Sequence, residues 1–430
     1  MSRSSAPWRV CIRQSGSGRR MTNRMKHLIF MHATAPPSQP PPAGGRSNYL
    51  SHSPEEMSTS LSSSAGWRST SLSPSPGGGG TGRGIQMVQG TNAMAPVQTF
   101  LSLLLALFLL IPATATFGLE IQPFRTANRS PLVQIYGLPA ETSSSLLSSG
   151  QLQLGLSQDI ASIYSVNSSA TEQILLDGEL YRWTLAARYG LTEKVELGIE
   201  LPFVLQGGGF LDSFIIDWHS FFGLPQGGRD TASKNRLRYR YVKNGVQKLD
   251  MTHASGGIGD VSLLAAYRLY EQQTATDHDT IALRSQLKLP SGNSSNLLGS
   301  GSVDFSLLLS GAMNRRTEWG TLGVYGAVGG LAGSDGDVLS DQRHNLVAFG
   351  NAGIGYAPTN WINFKVQADL STPFYKNSSL AELGKGAALV TFGGTLKLPG
   401  NYLLDIGVAE DIAVATAPDV VFHLGLSKRF

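Results

Sequence analysis

The stretch "WINFKVQADL" (residues 361–370) changes character at every step: Ile362, Phe364, Val366, Ala368 and Leu370 alternate with Asn363, Lys365, Gln367 and Asp369. A β-strand sends successive side chains to opposite faces, so these ten residues build one apolar wall and one charged wall. The pattern recurs. "VELGIELPF" (195–203) sets Val195, Leu197, Ile199, Leu201 and Phe203 against Glu196, Gly198 and Glu200. "IALRSQLKL" (281–289) sets Ile281, Leu283, Leu287 and Leu289 against Arg284, Gln286 and Lys288. Near 182–191, Arg182, Thr184 and Arg188 oppose Tyr181, Trp183, Leu185 and Tyr189.

About twelve such segments follow one another, near 150–160, 178–191, 193–204, 257–269, 280–289, 302–312, 319–330, 345–357, 361–371, 386–398, 401–411 and 419–430. Each runs roughly 10–13 residues, the length a tilted strand needs to cross a bilayer; soluble strands average about five or six. Short turns ("LTEK", "NRRTE", "APTN", "LPGN") and the somewhat longer "EQQTATDHD" alternate with long connections at 205–256, 290–301, 331–344, 372–385 and 412–418. That asymmetry belongs to outer-membrane barrels, whose short turns are periplasmic. An even strand number puts both barrel ends on that side. Tyr189, Tyr270, Trp319, Tyr356, Trp361 and Tyr402 sit beside the short turns, where an interfacial girdle belongs.

Composition agrees. Of 430 residues only 15% are charged and the mean hydropathy is −0.04, less charge than the roughly 25% of soluble domains. Yet the second half holds no apolar run of about 20 residues. A closed barrel resolves the conflict, because it satisfies its backbone without helices. A soluble β-sandwich or lipocalin-like barrel is the competing architecture. Strand length, loop asymmetry and an export signal argue against it.

The net charge of +4 is misleading. Residues 1–93 carry ten Lys/Arg and two Asp/Glu, which leaves 24 and 28 for the remainder, a net of −4. A nucleic-acid partner would rest on the tail alone and is set aside. Residues 1–93, with "PPSQPPPAGGRS" and "SLSPSPGGGGTGRG", read as disordered and as translation upstream of the true start. Residues 94–115 read as a signal peptide, with an apolar core from Phe100 to Ile111 and an Ala113-Thr114-Ala115 cleavage site. Residues 116–148 are expected as a periplasmic N-terminal segment, entry of 119–148 into the barrel being the alternative, and 149–430 as the barrel. Cys11 lies in the tail, so a mature, exported chain would be free of cysteine.

The last residues, "PDVVFHLGLSKRF", carry the same alternation to the C-terminus. Phe430 with Leu426, Leu424 and Phe422 resembles the signal read by the barrel assembly machinery, although Lys428 stands where such signals often carry an aromatic.

Whole blocks resemble a bacterial outer-membrane family, domain of unknown function 3187. They are "DGELYRWTLAARYGLTEKVELGIELPF", "GGGFLDSFIIDWHSFFGLPQGGRD", "RLRYRY", "LKLPSGNSSNLLGSGSVDFSLLLS" and "DIAVATAPDVVFHLGLSKRF". The resemblance covers roughly 120–430. It implies an outer-membrane barrel and assigns no chemistry.

The expected inward face is charged: Arg182, Arg188, Arg268, Arg284, Lys288, Lys365 and Lys397 against Glu196, Glu200, Asp260, Asp304, Asp369 and Asp405. Such a lumen either lines a water-filled path and sets its selectivity or pairs its charges and closes. In the 205–256 connection, Phe210, Phe214, Trp218 and Phe222 recur at helical spacing and read as a lid needing an apolar surface, either the lumen mouth or the outer leaflet. "RLRYRYVKNGVQKLDM" (236–251) reads as a hairpin turning at Asn244-Gly245. Its Arg236, Arg238 and Arg240 share one face, suited to lipopolysaccharide phosphates.

No metal or cofactor is expected; Asp335, Asp337 and Asp341 lack a full calcium-loop pattern. Asp217 and His219 point apart on a helix. His423 and Ser427 are about 13 Å apart along a strand, too far for a base–nucleophile pair. The sequence therefore points to a bacterial outer-membrane barrel, a narrow channel or transporter for small solutes. The alternatives are a lipid-acting enzyme and a structural, lipopolysaccharide-binding barrel with a plugged lumen.

Overall fold

The computed structural model describes residues 119–223, 226–412 and 416–430. The expected upstream tail (1–93, with Cys11) and signal peptide (94–115) lie outside the described residues.

Fifteen strands form one sheet: β1 (Leu152–Ser168), β2 (Glu172–Gly190), β3 (Val195–Gly207), β4 (Arg238–Lys243), β5 (Val246–Met251), β6 (Ser255–Ile258), β7 (Ser262–Gln273), β8 (Asp277–Lys288), β9 (Asp304–Thr317), β10 (Gly320–Gly333), β11 (Leu346–Ala357), β12 (Ile362–Ser371), β13 (Ala387–Leu398), β14 (Tyr402–Asp411) and β15 (Val420–Arg429). Twelve lanes make the wall, with β6 and β7 sharing one lane beside β3. Neighbours are antiparallel. β1 pairs with β15, Ser157 opposite Gly425, and closes the cylinder. Closure leaves the wall no unpaired edge, which a strand surface in hydrocarbon requires.

The wall is apolar outside and polar inside. Leu307, Leu309, Val324, Ile354, Phe364 and Phe392 are between 44% and 61% exposed, whereas Asn363, Gln367, Thr391 and Ser306 are fully buried. A water-soluble barrel would reverse this, since exposed apolar area at this scale is unfavourable in water. Tyr189, Tyr270, Trp319, Tyr356 and Trp361 stand exposed at the short-turn end. Among the described residues no helix is long and apolar enough to cross a membrane.

Two departures from the expected layout matter. β1 and β2 run on to Ser168 and back from Glu172, well beyond the expected 160 and 178, and raise a tall hairpin at the long-loop end. β4 pairs with this extension, Arg238 opposite Asp177. β4 and β5 are joined by Asn244-Gly245, both at positive φ (50° and 75°), the geometry of a tight two-residue turn. The long-loop end also holds the largest apolar core: Ile163, Leu176, Tyr239, Tyr241, Leu297 and Phe374.

Candidate functional site: a lumen filled by the N-terminal segment

Residues 119–147, part of the segment 116–148 expected in the periplasm, lie inside the barrel instead. The segment enters at the short-turn end, climbs one side of the lumen, turns near the long loops and descends the other side to β1. On the way up, the Ile121 amide donates to Asn314 Oδ1 (3.3 Å), the Phe124 amide to Gln367 Oε1 (2.8 Å) and the Thr126 hydroxyl to Asp369 (3.1 Å). Asn128 then donates to the Thr416 carbonyl (2.9 Å) beyond the strands. The turn inserts Leu132, Val133, Ile135 and Tyr136 into the apolar core, and Tyr136 reaches Tyr375 (3.2 Å). Going down, the Gly137 amide donates to Asp304 (2.9 Å), Ser144 meets Thr280 (2.6 Å) and the Leu147 amide donates to Glu196 (2.9 Å). The physical reason is satisfaction: buried backbone needs partners, and the inward wall supplies side-chain donors and acceptors at each level.

The wall is shaped for this segment. Gly323 and Gly355 are paired across β10 and β11 and face inward. A Cβ at Gly323 would stand 2.7 Å from Ile121 Cβ, and one at Gly355 would stand 2.5 Å from Ile121 Cγ2. A Cβ at Gly407 would meet Phe124 at 3.4 Å.

Charge completes the fit. Arg125 binds Glu141 of the returning arm (2.6 Å) and Glu200 of the wall (2.5 Å). Arg188 holds Glu141 (3.0 Å) and Glu196 (2.8 Å), and Arg284 also reaches Glu196 (3.0 Å). Arg129 pairs with Asp159 (2.6 Å), which also binds His423 Nδ1 across the β1–β15 seam (2.6 Å). Ions this deeply buried need partners, because removing one partner costs about 3–5 kcal/mol. The voids left beside the arms are only about 20, 30 and 20 Å³, room for a water molecule or so each. A larger recess of about 470 Å³ opens at the short-turn end, lined by Glu120, His278, Arg268, Arg316 and Arg429. There Glu120 takes His278 (3.2 Å) and Gln122 (2.7 Å). Burial works against the Glu120 carboxylate, but the His278 hydrogen bond and the Arg429 charge prevail and hold its pKa at about 2.

The remaining wall charges are placed as follows. Arg182 donates to Gln134 (2.9 Å). Lys288 sits among Asp260, Asp304 (3.3 Å) and the Ser300 hydroxyl (2.6 Å). Lys365 binds Asp405 (2.8 Å) and the Gln122 carbonyl (3.1 Å). Arg268 pairs with Glu271 (2.5 Å) and reaches the Leu146 carbonyl (3.3 Å). Lys397 stands near the short-turn end, where its amide donates to Trp361. Sequence reasoning missed Arg125, Arg129, Glu141 and Asp159 as lumen groups. The inward glycines were the available signal for a filled interior.

The aromatic stripe does not cover the mouth. It forms α1 (Asp212–Phe222), which lies on the outside of the wall. Leu211 and Ile215 pack on Val420, with Ile160, Val408 and Phe422 beside them, and the Phe214 ring lies 6.0 Å from that of Phe422. Trp218 is 6.0 Å from Phe214, and Phe222 ends the helix. The apolar surface the stripe needs is the barrel exterior, and the mouth is already filled by the apolar core.

On β4, Tyr239 and Tyr241 point into that core. Arg236 pairs with Asp177 (2.6 Å), Arg238 with Asp250 (2.9 Å), and Arg240 is exposed. In the terminal strand, Phe422 supports α1 and Leu424 is exposed, while Leu426 pairs with Leu156 and the Phe430 amide donates to Leu152. The Lys428 ammonium lies over the rings of Tyr402 (4.5 Å) and Phe430 (4.8 Å), which shields an outward cation. Among the described residues no group of three or more His, Cys, Asp or Glu could hold a metal ion.

These features define the class: a closed, twelve-stranded antiparallel barrel of the transmembrane kind, with its lumen filled by its own N-terminal segment. The family model described as "Protein of unknown function (DUF3187)" matches residues 99–430, and the chain belongs to that family. No curated protein matches. Among solved structures, an outer-membrane channel from Pseudomonas putida F1 is 15% identical, covers 67% of this chain and 98% of its own, and gives a TM-score of 0.43. The translocator domain of the autotransporter NalP from Neisseria meningitidis is 11% identical over 66% of this chain and 90% of its own, with a TM-score of 0.32. The Pseudomonas putida toluene transporter TodX is 11% identical over 67% and 91%, with a TM-score of 0.27.

Proposed function

We propose that the protein is a bacterial outer-membrane channel for small polar solutes whose N-terminal segment closes the lumen at rest. The observation that carries this reading is Arg125, which ties the climbing arm to the returning arm at Glu141 and to the wall at Glu200. Contacts of this polar kind hold much of both arms through the barrel. Water can replace these contacts when the arms shift, while Leu132, Val133, Ile135 and Tyr136 of the turn must also leave the apolar core for the path to open. Charges such as Lys365 and Asp405 would then set ion preference. In this reading the barrel assembly machinery recognises the Phe422, Leu424, Leu426 and Phe430 stripe, and no catalytic step is assigned.

The apolar core at the long-loop end favours one other reading, a permanently sealed structural barrel. Single-channel recording of Arg125→Ala in a planar bilayer separates the two, after heat-modifiable gel mobility has confirmed a folded barrel. Loss of about 1.4 kcal/mol of closing energy raises the open-to-closed ratio about tenfold. Arg125→Ala should therefore raise the open fraction by at least about that factor over the parent chain. A folded variant as silent as its parent would contradict a channel.

A further inference from the structure

The exterior sector around α1 combines two features that belong together only at an interface. The lower feature is aromatic. Tyr181 stacks with Trp183 (6.2 Å) and with Phe210 (6.5 Å), and Trp183 lies 6.2 Å from Phe203. Phe210 is 67% exposed and Phe214 is 47% exposed. This surface is held rigidly. Glu179 accepts the Phe210 and Leu211 amides (2.7 and 2.5 Å), and Arg229 clamps Asp212 (2.6 Å), Asp419 (2.5 Å) and Ser162 (2.9 Å) across the barrel seam.

The upper feature is cationic. Residues 226–251 hold seven Lys/Arg and two Asp/Glu. Arg229, Arg236, Arg238, Lys243 and Lys248 pair with carboxylates, Arg238 with the partly exposed Asp250 (2.9 Å). Lys234 and Arg240 have no carboxylate partner among the described residues. Arg238 and Arg240 lie opposite Asp177 and Leu175 of β2, four and six residues beyond Tyr181 on the same outward face. At about 3.3 Å per residue they stand roughly 13 and 20 Å above the aromatic surface. Lys234 bridges the interval, its ammonium 3.1 Å from the Ser213 hydroxyl in the first turn of α1. Arg240 is exposed.

We infer that this sector is a binding site for one phosphorylated, multiply acylated glycolipid of the outer leaflet, the lipid A portion of lipopolysaccharide. Its acyl chains lie on Phe210, Phe214 and Trp183, and its phosphates meet Lys234, Arg238 and Arg240. Arginine forks match phosphate oxygens, and rings at the interface accept chains beside a wet headgroup. An ordinary phospholipid has one phosphate and two chains, too little to span both features. The inference rests on the reading that the long-loop end faces the outer surface.

The test is native mass spectrometry of the detergent-solubilised full chain with bisphosphorylated lipid A, monophosphoryl lipid A and phosphatidylglycerol. One bisphosphorylated lipid A should stay bound in preference to the other two, and Arg238→Ser with Arg240→Ser should weaken it about tenfold or more. Equal retention of all three lipids by the unmodified chain overturns the inference and leaves the barrel reading intact. So does a folded double variant that binds as its parent does. A chain absent from the outer-membrane fraction of cells would instead overturn the localisation on which the inference rests.

Discussion

Gly355 shows how much one absent side chain can decide. Its inward Cβ position is occupied by Ile121, 2.5 Å away, and that of its neighbour Gly323 is crowded by the same residue at 2.7 Å. Such approaches leave no room for a methyl group, so the glycines reserve space for the climbing arm. Gly355→Leu should eject Ile121 and weaken the amide's contact with Asn314, while the β11–β12 ladder persists. The expected outcome is a folded, heat-modifiable barrel with an open fraction at least about tenfold above that of the parent chain, read as single-channel current. A fully closed and folded Gly355→Leu would mean that the arm is not positioned by this contact.

Among the elements, the strands were legible and the segment they enclose was not. Trp361–Leu370 announces β12 because its period of two is written in local order. Residues 119–147 have no period, and their partners are remote: Ile121 bonds Asn314, and Tyr136 bonds Tyr375. No local rule carries that information. The helical spacing of α1 was readable as well, but its docking surface depended on Ile160 and Phe422 meeting across the closed seam. The pH response belongs to this scale. The pKa of Glu120 is lowered from 4.5 to about 2, so its contribution is fully present above about pH 4.5 and is lost as the pH falls towards 2. Pepsin should therefore nick residues 119–147 of the folded barrel faster as the pH drops through that window. Glu120→Gln, which has no charge to lose, should show a weaker dependence. Equal pH dependence in both chains would show that this anchor does not hold the entering arm.

For the whole molecule, the arrangement is an inversion: apolar residues face out, charges face in, and a 29-residue segment (119–147) turns the charged space into a packed interior. The alternating pattern predicted the first two properties. The third follows from the cost of leaving wall carboxylates such as Glu200 and Asp159 without Arg125 and Arg129 of the segment, or without water in their place. The most direct measurement exploits the absence of cysteine after Cys11. Ser144 and Thr280, whose hydroxyl oxygens are 2.6 Å apart, can be replaced by Ser144→Cys and Thr280→Cys in a Cys11→Ser background. The new disulfide would fasten the returning arm to β8. Single-channel current is then recorded before and after adding reductant. The account predicts a silent oxidised barrel whose discrete openings appear on reduction and match those of the parent chain. Openings that persist unchanged in the oxidised barrel, or a barrel silent in both states beside an active parent, would contradict it.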